Sequence, residues 1–232
     1  MTPNELRDAQ KKIEQEIFQL AKKLYPNDNL RDPVTDGVCD EAAYLASNPK
    51  VMWVLKEPYD DFDEDGQPCG GGWSIPKDYF VRDDVWAQKS WQNIVYSMQG
   101  ILEGKFWNEI PYTKDNRDFA RKIMQQIAYI DVSKMPNGKT SEDSFIAEAY
   151  QDWKPILFKQ IELYNPDVII FGRTFHCFKV DLVGANAAPL KVYDDSARVY
   201  RAGGRLLVDT GHPGRKGEVY VNAIIKAVRE NL

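Results

Sequence analysis

The residues able to do chemistry in this 232-residue chain gather at a few places. The stretch VMWVLKEPYDDFDEDGQPCGGGW, Val51 to Trp73, runs as an apolar segment to Leu55 and stops on Glu57-Pro58-Tyr59. A carboxylate ending a buried strand, beside a proline that fixes the backbone, can orient a water or stabilise a developing cation, and partial burial raises its pKa toward a useful range. The competing reading is a turn with a solvated glutamate. The chain has two histidines, His176 and His212. His212-Pro213-Gly214 follows a second apolar segment and precedes a helix start, so its imidazole can donate a hydrogen bond to an anion forming on a leaving group. Alone it could be an ordinary loop histidine; the pairing with Glu57 favours chemistry. His176, in GRTFH, reads as a partly buried residue at a helix start.

Other clusters have weaker readings. Asp61, Asp63, Asp65 and Gly66 match the first half of a calcium loop, but Gly72 holds the twelfth position where a bidentate Glu is needed, so a solvated hairpin tip is expected. Gly70 to Gly72 precede no G-K-[ST] and read as a link to Trp73. SKMPNGKTSED offers Ser133, Lys134, Lys139 and Thr140 either to a phosphate or to solvent. Arg198, Arg201 and Arg205, with Arg215 and Lys216, are the one basic concentration, either a hairpin edge defended by charge or a hold on a nucleic-acid backbone.

These residues need elements to position them. Val51 to Leu55, Ile127 to Val132, Val168 to Phe171 and Leu206 to Val208 are continuous apolar runs, many β-branched, as in strands buried on both faces. Ile13, Ile17, Leu20 and Leu24 make the stripe of an N-terminal amphipathic helix over about 3–25. Trp86, Trp91, Ile94, Val95, Met98 and Leu102 form another stripe, SEDSFIAEAYQDWKPILFKQIELY a third helix, and GEVYVNAIIKAVREN a closing one. Strands alternating with such helices imply parallel pairing and right-handed crossovers, hence a three-layer α/β/α sandwich around a central four-stranded parallel sheet. Ligands of such sheets lie beyond the carboxyl ends of the strands, where KEPYDDF, SKMPNGKTS, GRTFH and DTGHPGRKG stand.

With 43% hydrophobic and 28% charged residues, a single domain over 1–232 is the expectation. A formal net charge of -5 argues against a pervasively basic nucleic-acid-binding face while allowing a local basic groove. Cys39, Cys69 and Cys177, an odd count without C-x-x-C, suggest neither a disulfide framework nor a structural metal site. No apolar run of membrane-spanning length and no secretory leader are read, so a soluble cytoplasmic protein without a membrane partner, cofactor or resident metal is expected.

The same residues resemble the uracil-DNA glycosylase-like superfamily. WVLKEPYDD is similar to its G-Q-D-P-Y signature, LLVDTGHPGR to its late H-P-S element, YIDVSKMPNG to the middle motif of the thermophilic-type enzymes, and YNPDVIIFGRTF to its third-strand segment. The resemblance spans Val51 to Gly214, in order. It implies hydrolysis of the N-glycosidic bond of a damaged or deaminated base in DNA, with Glu57 matching the water-positioning acid and His212 the histidine that stabilises the departing base. Tyr59 matches a pocket-closing residue, and Trp73 or Phe80 would stack on a flipped base. Lys56, Asp131, Ser133, Gly214 and Arg215 complete the candidate substrate-binding set. Leu55 replaces the motif's glycine, Glu57 is one methylene longer than the family's Asp, Asp131 replaces its base-reading Asn, and Gly214 its phosphate-contacting Ser. An ionised Asp131 would accept hydrogen bonds but donate none. The alternatives are a non-catalytic nucleotide- or nucleic-acid-binding module, or a small-molecule nucleoside or phosphoester hydrolase with metal held by Asp60, Asp61 or Asp63.

Overall fold

The computed structural model describes residues 1–59, 61–67, 69–138, 142–214 and 216–232. The readings for Asp60, Lys139, Thr140 and Arg215 therefore fall outside the described residues. Helix α1 (Pro3–Leu24) starts at a capping box, in which Thr2 and Glu5 each accept from the other's backbone N–H, at 3.3 and 2.7 Å, with Pro3 in the first turn. There follow β1 (Gly37–Val38), α2 (Glu41–Ala46), β2 (Val51–Leu55), α3 (Lys89–Glu103), α4 (Arg117–Met124), β3 (Ile127–Asp131) and α5 (Asp143–Tyr164). The chain closes with β4 (Val168–Gly172), α6 (Phe175–Val183), β5 (Lys191–Tyr193), β6 (Ala197–Ala202), β7 (Arg205–Thr210) and α7 (Glu218–Arg229).

The sheet order is β1-β3-β2-β4-β7-β6-β5. The four expected strands form its parallel centre, β3-β2-β4-β7, but among the described residues the sheet has seven strands instead of four. β1 adds antiparallel to β3 at one edge, and β6 and β5 add antiparallel beyond β7 at the other. These flanks lack the long apolar runs of buried parallel strands. β1 has two residues, and β6 alternates, with Arg198 and Arg201 exposed while Ala197, Val199 and Tyr200 are buried. Gly203 and Gly204, both at positive φ, make the tight β6–β7 turn.

Successive strand residues bury toward opposite faces, which is why the centre reads as unbroken apolar sequence. Trp53, Ile127, Tyr129, Ile170 and Val208 join the core under α3, α4 and α7. Met52, Ala128, Ile130, Ile169 and Leu207 join the core under α1, α5 and α6. Trp86 stands in a short helical turn (Asp84–Ala87) ahead of α3, not in α3 itself. The β2–α3 connection runs from Lys56 to Gln88, long enough to fold back over the carboxyl edge of the sheet. Among the described residues, no helix is long and apolar enough to cross a membrane.

Candidate active site

A cleft of about 920 Å³ opens at the carboxyl edge of the parallel strands. Glu57, just past β2, and His212, just past β7, both line it, as do Lys56, Tyr59, Trp73, Asp131 and Gly214. Two of the sequence candidates do not stand with them. Phe80 is 3% exposed, stacked on Trp86 and packed edge-on to Trp91 and Tyr129, so its ring belongs to the core. Ser133 is buried and turned back on its own loop, donating to the Met135 carbonyl at 2.9 Å and accepting the Met135 N–H at 3.2 Å. Arg215 is outside the described residues.

Backbone pairing fixes Glu57. The β2–β3 ladder continues past both strand ends: Val132 N–H donates to the Leu55 carbonyl at 3.0 Å, Ser133 N–H to that of Lys56 at 2.9 Å, and Asn137 N–H to that of Pro58 at 3.0 Å. Glu57 is thus held between anchored peptides on a half-buried segment. Leu55, where a glycine was the motif's choice, finds its space over Gly172 of the neighbouring strand. A Cβ at Gly172 would lie 2.2 Å from Leu55 Cδ2, so the bulk on β2 is matched by its absence on β4.

His212 sits in a clamped turn. Asn93 of α3 donates to the Pro213 carbonyl at 2.6 Å, and Tyr220 of α7 donates to the Gly211 carbonyl at 2.9 Å. The Gly214 N–H donates to His212 Nδ1 at 3.0 Å, which makes Nδ1 the acceptor and leaves the proton on Nε2. A Cβ at Gly214 would come within 3.1 Å of Nδ1 and 3.3 Å of Ser90 Oγ, so glycine lets this backbone approach the ring. Burial, and then the charges of Lys56, Arg173 and Lys216, push the His212 pKa down to about 4. At neutral pH the imidazole is therefore uncharged, with one N–H to give.

Lys56 and Arg173 both reach Asp143 at the start of α5, at 2.9 and 3.2 Å, and the hydrogen bond from Lys56, followed by that from Arg173, holds the Asp143 carboxyl below its usual range. Arg173 has a positive φ of 66°, an uncommon conformation for a side-chain-bearing residue, and its N–H donates to the Thr210 carbonyl at 2.7 Å. It lines the cleft and was missed from sequence, although it directly follows a strand end. Arg198, Arg201 and Arg205 are not among the lining residues. They pair locally, Arg198 with Asp209 at 4.0 Å, Arg205 with Asn165 Oδ1 at 2.9 Å, and Arg201 with the Asn231 carbonyl.

Another part of the lining is aromatic. Trp73 stacks on Tyr79, with centroids 5.7 Å apart and planes 25° apart; Tyr79 meets Trp91 at 5.8 Å, and Trp91 meets Tyr129 at 5.1 Å. Sequence reasoning found the right segment, WSIPKDYF, but put Phe80 where Tyr79 stands. Tyr59, 60% exposed, stands at the rim. Asp131 is 1% exposed and also lines the cleft; burial, and then the nearby Asp36, raise its pKa well above the usual carboxylate range, against the pull of Lys134 and Tyr129. Enclosure beside a second acid thus works against the ionised, acceptor-only form of this carboxyl.

The acidic turn is a local device: Asp63 Oδ1 accepts the N–H groups of Asp65 and Gln67 at 3.0 and 2.7 Å. Among the described residues, no group of three or more His, Cys, Asp or Glu is arranged to hold a metal ion. His176 is exposed and contacts Cys177 Sγ at 3.3 Å, outside the cleft.

The architecture thus defines an α/β sandwich with a cleft at the ends of its parallel strands. No family model matches the chain, and no curated protein matches it. Among solved structures, it is similar to the uracil-DNA glycosylase of mimivirus, at 18% identity over 93% of this chain and 70% of that one, with a TM-score of 0.38. A likeness at that score carries no weight for function, which must rest on the cleft.

Proposed function

We propose that the protein hydrolyses the N-glycosidic bond of a damaged or deaminated base in DNA, with a uracil-DNA glycosylase-like fold as its scaffold. One observation carries this reading: an acid from the end of β2 and a neutral imidazole from the end of β7 share a cleft whose lining includes a row of aromatic rings. A planar base stacks on Trp73 and Tyr79. Glu57 holds a water against the sugar C1′ and takes its proton as the water oxygen bonds to that carbon. The carbon–nitrogen bond breaks toward the base, and the electron pair left on the base is met by the His212 Nε2–H. A neutral donor suits this task, because it stabilises the anion without giving up its proton. Lys56 and Arg173 provide positive charge beside the sugar and phosphate.

The test is incubation with single- and double-stranded oligonucleotides carrying uracil, hypoxanthine or thymine mismatches. Base release is expected, slowed roughly 100- to 1,000-fold by His212→Asn. Intact substrates throughout, together with no measurable binding, would remove the enzyme reading. A second reading is a nucleotide- or nucleic-acid-binding module without turnover, which uses the aromatic lining of the same cleft to hold a base. It predicts binding that survives Glu57→Gln and His212→Asn unchanged.

A further inference from the structure

Two ion pairs of this molecule are built to different ends. Lys134 and Asp36, 2.6 Å apart, are both fully enclosed, as a pair that serves the fold alone would be. Asp143 is placed otherwise. Its Oδ1 accepts from Lys56 Nζ at 2.9 Å and its Oδ2 from Arg173 Nη2 at 3.2 Å, so one carboxylate joins both cations. Its side chain is nevertheless 48% exposed. Lys56 and Arg173 line the cleft, whereas Asp143, in the first turn of α5, is not among the lining residues. The acid therefore reaches the two cations from outside the cleft they line.

The cations do not depend on that acid for their place. The Lys56 carbonyl accepts the Ser133 N–H at 2.9 Å, and the Arg173 N–H donates to the carbonyls of Thr210 at 2.7 Å and Phe171 at 3.1 Å. Those bonds hold the Arg173 backbone at a φ of 66°, a conformation that a side-chain-bearing residue keeps only where its surroundings over-determine it. After burial, Lys56 and then Arg173 do most to lower the His212 pKa, so the field of both charges reaches the imidazole even with Asp143 in place. Together they form a fork that offers one donor to each of two oxygens of an anion, and Asp143 fills it from within the chain. A carboxylate half open to water is weakly held by such partners. A phosphate brings more charge with the same two-oxygen geometry, which suits a guanidinium well.

We propose that Asp143 is an autoinhibitory latch: its carboxylate occupies the place between Lys56 and Arg173 that a ligand's phosphate takes, and it swings out when that phosphate binds. The naming of the phosphate's source, a nucleic-acid backbone, rests on the proposed function; the latch itself needs only a phosphate anion. A tethered carboxylate competes at an effective concentration of about millimolar, so a weak anion arriving alone loses to it. A ligand that is also held elsewhere in the cleft, by the rings of Trp73 and Tyr79, displaces it. The latch thereby makes phosphate binding conditional on recognition of the ring.

Removing the latch tests this. Wild type and Asp143→Asn are titrated with pyrophosphate and with a fluorescent single-stranded oligonucleotide, and Asp118→Asn, at a fully exposed carboxylate, controls for the loss of one surface charge. Asp143→Asn should bind both probes roughly tenfold more tightly, with a salt dependence for the oligonucleotide steeper by about one phosphate contact. Asp143→Ser, a second uncharged variant, should show the same gain, and Asp143→Glu, which keeps the charge, should stay near wild type. Asp118→Asn should change either affinity less than about twofold, and adding Arg173→Gln to Asp143→Asn should abolish the gain. No tightening in either uncharged variant, a gain that Asp118→Asn matches, or a gain that survives Arg173→Gln overturns the latch. An oligonucleotide that wild type binds, and Asp143→Asn binds no better, does so while leaving the nucleic-acid reading intact. The gain for pyrophosphate without any oligonucleotide binding supports the latch and removes the nucleic-acid reading.

Discussion

The two walls of the cleft are built in different ways. The polar wall, Lys56, Glu57, Arg173 and His212, stands on the ends of parallel strands; backbone hydrogen bonds that continue the sheet hold the first three, and side-chain donors from α3 and α7 clamp the turn of the fourth. The aromatic wall, Trp73, Tyr79 and Trp91, comes from the long β2–α3 connection and the start of α3, and its rings are held mainly by one another. Backbone pairing fixes a side chain's origin to a fraction of an ångström, which chemistry requires. Stacking tolerates sliding, which suits recognition of a flat ring. The polar wall should therefore govern rate and stability, and the aromatic wall affinity.

That division can be broken in several ways. Lys134→Met leaves Asp36 as an uncompensated buried charge beneath the polar wall and should cost roughly 3–5 kcal/mol in chemical denaturation. The aromatic stack should survive it, read as unchanged tryptophan fluorescence in the folded baseline; a small stability loss would mean the Lys134–Asp36 pair is not the anchor of that wall. The next effect is a pH dependence. The folded pKa of His212, about 4, lies below the ordinary 6.5, so as pH falls the unfolded chain takes up this proton first. Its contribution is intact above about 6.5 and is lost between there and about 4, amounting to roughly 3 kcal/mol. His212→Gln should be flatter than wild type over that window and parallel to it above; identical profiles would show an imidazole that titrates normally. Smallest is Trp73→Leu, expected to weaken base binding about tenfold with the rate at saturation little changed. A fall in that rate with binding intact would reverse the roles of the two walls.

How much of this was legible in the sequence follows from where each feature's cause lies. Val51 to Leu55 and Val168 to Phe171 announce themselves because a strand buried on both faces must be apolar throughout, and the ends of those runs mark where Glu57 and Arg173 stand. Arg173 was passed over even so, since GRTFH drew attention to its histidine instead. Of the flanking strands, β6 was legible only as one of two readings, a charged hairpin edge, and the structure pairs it antiparallel with β7. β6 is short and basic, and its sequence fits a charged hairpin edge as well as the sixth strand of a seven-stranded sheet. WSIPKDYF shows the converse: its aromatic content signalled a wall, but a π-helical turn at Ile75–Tyr79 decides which ring faces the cleft and which enters the core.

The amino-acid order by itself determined the parallel centre of the sheet and the emergence of an acid and an imidazole from two of its strand ends, because continuous apolar runs and their breaks are local properties. Tertiary structure alone decided that Phe80 is core while Tyr79 is wall, that Gly172 makes room for Leu55, and that Asp131 is enclosed beside Asp36 with its one nearby ammonium already taken. Burial and charge balance are sums over groups distant in sequence, Asp36, Lys134 and Gln160 among them, and their effect on Asp131 exists only once the chain has folded around it.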